Sequence, residues 1–199
     1  MVLAVSSGLV IGIVIAAVAV LLLLFLVSMY NRLVRLRNRA ENAWAQVDVQ
    51  LKRRHDLVPN LVEAVKGYAA HERGTFDEVT QARTAAQQAQ GPQAQAQAEN
   101  VLTQALGRLF AVAENYPQLR ATENFQQLQS ELDETEDKIA VARQMYNDAV
   151  LTYDTARETV PTSVVASMLD FEARQYFEIE ERSRPAPQVD FSQPSAPTG

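Results

Sequence analysis

The amino-acid sequence predicts an all-α protein in which an N-terminal transmembrane helix precedes an elongated antiparallel, up-down bundle of long helices. Residues 2–31 carry no charged side chain, whereas 18 basic and 24 acidic residues crowd into the rest of the 199-residue chain. Glycine and proline number only seven and eight, which is too few for most turn-rich β architectures. Beyond residue 32, apolar side chains recur at alternating steps of three and four, the spacing of one helix face.

The N-terminal segment 1–29 is predicted to be a membrane anchor. Leu9 to Val27 contains no polar side chain, and as a helix it spans about 28 Å, close to the hydrocarbon thickness of about 30 Å. A cleaved signal peptide needs basic residues before a shorter apolar run and a small-residue cleavage site afterwards. No Lys or Arg precedes Leu9, and residues 28–31 form no such site, so a retained anchor is favoured.

A basic collar follows the anchor before any acidic residue and consists of Arg32, Arg35, Arg37 and Arg39. Basic residues favour the cytoplasmic side, so we expect a single-pass protein of the cell (inner) membrane with its N-terminus outside and its bundle cytoplasmic. Residues 32–54 carry a net charge of +5 and residues 55–199 a net charge of −11, which sum to −6. The collar is therefore predicted to bind anionic membrane lipid, and nucleic-acid binding is disfavoured.

A small-residue face lies within the anchor, where residues recur every four positions at Ala4, Gly8, Gly12 and Ala16. Such a face lets two membrane helices approach closely, which predicts a homo-oligomer. The alternative is that small residues are simply common in membrane helices.

Residues 30–184 are predicted to form the helical bundle. An apolar stripe runs from Leu33 to Tyr68 and misses one position, at Arg54. The stripe stays in phase across Pro59, which favours a kinked continuous helix over a new helix capped by Asp56.

The later elements follow from turn residues and periodicity. Gly91 and Pro92 predict the turn of a helical hairpin, after which a shorter helix should stop near Pro117. That helix is predicted to bury Val101, Leu102, Leu106, Leu109, Phe110 and Val112. Thr122 should cap a long helix with an unbroken stripe at Phe125, Leu128, Leu132, Thr135, Ile139, Ala142, Tyr146, Ala149, Tyr153 and Ala156. Residues 185–199 are predicted to be a disordered Pro/Ser-rich tail.

No catalytic, cofactor or metal site is predicted. The positions three before His55 and His71 are Lys52 and Tyr68, so the Glu-x-x-His motif of dimetal bundles is missing. Thr75 stands where the H-E-x-x-H motif of zinc proteases needs its second histidine. The chain has no cysteine, and it lacks the phosphate-loop, dinucleotide and hydrolase motifs. We therefore expect a protein that is not an enzyme.

The segment NRLVRLRNRAENAWAQVDVQLKRRHDLVPNLVEAVKGYAAHE, after a membrane helix, resembles the LemA family of bacterial membrane proteins. The resemblance resumes at ENYPQLRATENFQQLQSELDETEDKIAVARQMYNDAV, at Phe171 to Glu181 and at Val189 to Phe191. Ala40 and Ala45 depart from the family's usual larger aliphatic and serine. The resemblance implies a single-pass protein with a cytoplasmic bundle of long helices and no established activity.

The resemblance also marks a signature segment whose role is unknown: Trp44, Asp48, Gln50, Lys52, Arg53, Arg54, Asp56, Pro59, Asn60 and Glu63. Trp44 is expected to pack between helices, because it lies too far beyond the anchor to be an interfacial residue. The polar members could cap, pair and kink the helix, or they could form a surface for a partner.

Two functions are compatible with the sequence. The first is a membrane-anchored, self-associating structural scaffold. The second is an adaptor that presents clients or partners to another membrane protein, such as an envelope quality-control protease. Proteins similar to this one are often encoded near membrane proteases, which is an association only.

Overall fold

The computed structural model describes residues 7–178, which form six helices and no strand. The all-α prediction is therefore confirmed. The helices are α1 Ser7–Lys66, α2 Arg73–Gln88, α3 Pro92–Glu114, α4 Pro117–Arg120, α5 Glu123–Glu158 and α6 Thr162–Met168. Ala4, the end of the predicted bundle at 179–184, the predicted tail at 185–199 and the terminal Val189 to Phe191 match lie outside the described residues.

Helix α1 joins the apolar segment to the bundle without interruption. It has 60 residues and contains Pro59, so the continuous helix is confirmed and Asp56 does not begin a new one. At a rise of 1.5 Å per residue, α1 is about 90 Å long. The apolar stripe ends earlier than predicted: the helix stops at Lys66, next to Gly67, and Tyr68 is exposed in the following turn.

The hairpin predicted at Gly91 connects α2 and α3, which pack against each other. Gly91 has φ +82°, a conformation that favours glycine, and Pro92 begins α3. Three of the six positions predicted for the buried face of α3 are buried, namely Leu102, Leu106 and Leu109. Phe110 and Val112 are half-buried, and Val101 is exposed. The prediction of Val101 was wrong because the buried face of α3 is centred on Leu102, Leu106 and Leu109, about 100° around the helix from Val101.

Helix α5 returns antiparallel along α1 and makes the most extensive helix pairing in the described structure. All ten predicted stripe positions of α5 are buried, together with Val150. The Thr122 hydroxyl caps the helix, accepting a hydrogen bond from the Phe125 amide at 3.4 Å.

Three apolar clusters follow one another along the bundle. The first lies near the free end, where the second half of α1 packs on α2, α3 and the start of α5. The second lies midway, around Val47 and Tyr146. The third lies nearest the apolar segment and brings Leu33 of α1 against Tyr153 of α5 and Val165 of α6. An extended strap at residues 171–178 then runs back along the bundle and buries Phe177 completely.

Candidate membrane anchor and buried polar cluster

The apolar segment of α1 has no protein packed around it. In the described part of the chain, α1 is the one helix with an apolar window long enough to cross a membrane, and none of that window is buried. A continuous apolar surface of this size is unfavourable in water, and lipid would remove the cost. This arrangement fits a single-pass membrane protein.

The small-residue face of the anchor is free of contacts from the rest of the described chain. A Cβ atom placed on Gly8 or on Gly12 would meet no heavy atom within 4 Å, and Ala16 is exposed. The face is open to another helix, and the predicted association of two chains through it stays a prediction.

The basic collar divides into two kinds of residue. Arg32, Arg35 and Arg39 are exposed, whereas Arg37 is half-buried. The Arg37 guanidinium lies over the Phe171 ring at 5.6 Å from its centroid, a cation–π contact. Three arginines of the collar are therefore exposed on the surface of α1, and the fourth contacts the strap.

A buried polar cluster lies between α1 and α3 and is centred on Glu99. Arg54 Nη1 donates to Glu99 Oε2 at 3.0 Å, and His55 Nε2 lies 2.6 Å from Glu99 Oε1. Gln95 Nε2 donates to the same Oε1 at 3.1 Å and to the Ala86 carbonyl at 3.0 Å. Glu99 is 0% exposed and Arg54 3% exposed. The Glu99 carboxylate accepts three hydrogen bonds, which compensate for its burial.

The same arginine also reaches α5. Arg54 Nη2 donates to Thr103 Oγ1 and to Glu136 Oε1, each at 2.8 Å. One guanidinium thus joins carboxylates from two helices and ties α1, α3 and α5 together. This contact explains why the apolar stripe misses a position at Arg54: the position is in the core, and its side chain is paired there.

Pro59, one turn further along α1, leaves a backbone carbonyl of the helix without its usual hydrogen-bond donor. A proline has no amide hydrogen, so the carbonyl of the residue four positions earlier, His55, loses its helical donor. Arg83 of α2 supplies the missing donor, with its Nε 2.6 Å from the His55 carbonyl oxygen. Helix α1 therefore passes through Pro59 with this carbonyl satisfied.

The strap is held by tyrosine and asparagine side chains of α5. The Tyr146 hydroxyl donates to the Gln175 carbonyl at 2.7 Å, and the Tyr153 hydroxyl donates to the Glu172 carbonyl at 2.9 Å. Asn147 pairs with both backbone groups of Phe177, at 3.0 and 3.1 Å. Burial raises the pKa of Tyr146 and of Tyr153, so both hydroxyls stay protonated donors to a higher pH than an ordinary tyrosine.

Most residues of the signature segment are exposed on the surface of α1. Its exposed members are Asp48, Lys52, Arg53, Asp56, Pro59, Asn60 and Glu63. Trp44 was predicted to pack between helices; it is half-buried and packs against Tyr146 of α5 and Phe177 of the strap, with ring centroids 5.1 and 5.3 Å away. Gln50 is half-buried, and Arg54 is buried in the polar cluster.

The buried polar cluster is suited to holding helices rather than to chemistry on a substrate. Its central carboxylate is inaccessible, and both of that carboxylate's oxygens are occupied by protein donors. Within residues 7–178, no group of three or more His, Asp or Glu side chains is placed to hold a metal ion. The sequence analysis did not identify Glu99 as a site residue. Glu99 is the one charged residue between Arg83 and Arg108, and this isolation in the sequence could have indicated a special role.

Within residues 7–178, an exposed apolar helix that continues into a bundle of helices fits a single-pass membrane protein with an attached all-helical domain. The sequence model of the LemA family matches residues 43–191, and the chain belongs to this family. Magnetosome protein MamQ 2 of Paramagnetospirillum magneticum is 28% identical over 179 residues, which cover 77% of this chain and 66% of that protein.

Two further relatives are similarly distant. Magnetosome protein MamQ of Magnetospirillum gryphiswaldense is 25% identical over 178 residues, covering 76% of this chain and 65% of its own length. Protein LemA of Metamycoplasma hominis is 25% identical over 155 residues, covering 77% and 71% respectively. The chain thus spans slightly less than two thirds of the MamQ proteins that it matches. None of these names denotes an enzyme.

Proposed function

We propose that this protein is a non-enzymatic, self-associating structural scaffold of the bacterial cell membrane. The observation that carries the proposal is the continuity of α1, which runs as one helix from the apolar segment into the bundle core. A flexible linker would let a tethered domain move freely, whereas a continuous helix fixes the position of the domain relative to the anchor. Fixed geometry at the membrane is what a repeating structural subunit requires.

The proposed orientation has the bundle in the cytoplasm. It is supported by Arg32, Arg35 and Arg39, which are exposed immediately after the apolar segment. A reporter enzyme that is active only on the outer side of the membrane, fused after Gly199, should be inactive. Strong reporter activity would contradict this orientation.

Self-association is supported by the open small-residue face. Helices in lipid gain little from burying leucine, so their association depends on close backbone packing at small residues. Gly12→Ile keeps the segment apolar and adds bulk on this face. Val10→Ile adds a single methylene on another side of the helix and is the matched control.

Crosslinking and native mass spectrometry of both variants in nanodiscs test this contact. Gly12→Ile should give smaller species than the parent chain, whereas Val10→Ile should give the same species as the parent. If both variants assemble like the parent, the small-residue face does not hold the oligomer.

An adaptor that presents partners to another membrane protein is the second candidate, and the exposed signature segment favours it. Asp48, Lys52, Asp56 and Asn60 are exposed and make no side-chain hydrogen bond or ion pair within residues 7–178, so their polar groups are accessible to a partner. A photo-crosslinker at Asn60 separates the two candidates in cells. Crosslinks to a second copy of this chain support the scaffold, and crosslinks to a different membrane protein in fixed ratio support the adaptor.

A further inference from the structure

The junction of α5 and α6 exposes an apolar surface that the bundle leaves uncovered. This surface, the α6 corner, consists of Val160, Val164, Met168 and Leu169. Val164 and Met168 lie one turn apart on α6, while Val160 and Leu169 flank the helix. Val160 is 77% exposed and Met168 76% exposed. Four apolar side chains this open to solvent within residues 160–169 indicate a contact that the isolated chain lacks.

The position of the α6 corner relates it directly to the anchor. A cleft of about 270 Å³ separates α6 from α1, lined by Leu26, Val27 and Tyr30 on one side and by Val165, Met168 and Leu169 on the other. Leu26 and Val27 are the last residues of the uninterrupted apolar run. At Met168 and Leu169, the α6 corner therefore lies level with the end of the membrane-crossing segment, where hydrocarbon gives way to headgroups.

The polar groups near the α6 corner are arranged as a membrane interface requires. Residues 159–169 contain no charged side chain. The Ser167 hydroxyl lies within hydrogen-bonding distance of the Ser163 and Val164 carbonyls, at 3.0 and 3.1 Å, so it is satisfied within the helix. Tyr30 is exposed beside the cleft and packs edge-on against Phe171 at a centroid distance of 5.9 Å. Tyrosine is enriched at this depth of a bilayer.

We infer that the α6 corner inserts into the interfacial region of the bilayer that α1 crosses and forms a second membrane contact. Its partner is lipid: the upper acyl chains would cover the corner, and the exposed Arg32 and Arg35 would meet anionic headgroups. Lipid is favoured over a protein partner because the cleft is continuous with Leu26 and Val27, which lipid already surrounds in a membrane-inserted α1. The inference rests on insertion of α1 and is independent of self-association.

Two attachments would have a mechanical consequence. A single helix can tilt in a bilayer, whereas a helix with a second apolar contact beside it has one preferred direction of tilt. The α6 corner would thus orient the whole bundle relative to the membrane plane.

Fluorescent labels on the full-length chain test the inference. The chain has no cysteine, so Met168→Cys, Val160→Cys and Val141→Cys can each carry one environment-sensitive fluorophore. Val141 is the matched control because it is apolar, 61% exposed and on α5. It lies in the middle of the bundle beside the cluster around Val47, which is about 30 Å along α1 from Val27.

The labelled chains are reconstituted in vesicles of phosphatidylcholine and phosphatidylglycerol, with and without bromine on the upper acyl chain. Labels at residues 168 and 160 should lose fluorescence in the brominated vesicles and resist quenching by aqueous iodide. The label at residue 141 should show the opposite behaviour.

Two outcomes would overturn the inference. One is iodide quenching of either corner label at the rate of the residue 141 label. The other is protection that appears only in nanodiscs holding two or more chains and vanishes at one chain per disc, because a second copy would then cover the corner. Circular dichroism of each labelled chain checks that the bundle remains folded.

Discussion

Helix α1 should depend on Arg83 because it contains Pro59. Arg83→Met removes the donor 2.6 Å from the His55 carbonyl oxygen. The His55 side chain is buried, so water has little access to replace that donor. Leaving a buried acceptor without a partner costs about 1–3 kcal/mol, so we expect the free energy of unfolding to fall by about 2 kcal/mol.

The same substitution should cost much less in a Pro59→Ala background. An alanine at this position has the amide hydrogen that proline lacks, and it can donate to the His55 carbonyl within the helix. The residual cost of Arg83→Met should then be at most about 0.5 kcal/mol, because methionine retains most of the apolar stem of the arginine side chain. The double-mutant cycle should therefore give a coupling energy of about 1–2 kcal/mol between positions 59 and 83.

Urea denaturation of the full-length chain in detergent micelles, followed by far-UV circular dichroism, measures the free energy of unfolding of the parent, the two single variants and the double variant. Arg108→Met is the control, because Arg108 of α3 also joins α2 to a neighbouring helix, but through an exposed ion pair with Glu78 that should cost at most about 1 kcal/mol. Equal costs of Arg83→Met with and without Pro59 would refute the proposed role of Arg83.

Three other predictions concern the core, the polar cluster and the strap. Leu132→Asp places a charge at a position that is 2% exposed and should lower the free energy of unfolding by several kcal/mol. Glu134→Ala, on the exposed face of the same helix, should leave the urea midpoint nearly unchanged. Equal shifts of the urea midpoint in the two variants would mean that the helix register is wrong. Glu99→Leu leaves the Arg54 guanidinium with one carboxylate and should cost about 3–5 kcal/mol, and a change below about 1 kcal/mol would contradict the cluster's structural role. Burial raises the pKa of Tyr146 above its ordinary value of 10.0. The stabilising contribution of the Tyr146 hydroxyl is therefore complete below pH 10 and is lost as the pH rises through the folded-state pKa. Trp44 fluorescence should report that loss, and Tyr146→Phe should make the loss smaller.

The parts of the fold that follow from a single helix could be predicted. The stripe of α5 alternates steps of three and four without a break, and all ten of its positions are buried. The turn at Gly91 and the cap at Thr122 were also predicted, because each depends on the chemistry of one residue.

Contacts between distant segments could not be predicted in the same way. The gap in the stripe at Arg54 marked an unusual core position, but its partner Glu99 is 45 residues away, and no local pattern says which carboxylate will face it. Arg83 acquires its role because the packing of α2 brings it to the carbonyl that Pro59 leaves free. The strap has no helical period, so the complete burial of Phe177 becomes visible only in three dimensions.

The central claim is that copies of this chain assemble with one another in the membrane. Native mass spectrometry of complexes released from their own membrane into nanodiscs, with the subunits crosslinked beforehand, tests it most directly. The scaffold proposal predicts species at integer multiples of the chain's own mass and crosslinks between identical chains. Single chains, or complexes that contain a different membrane protein in fixed ratio, would contradict it.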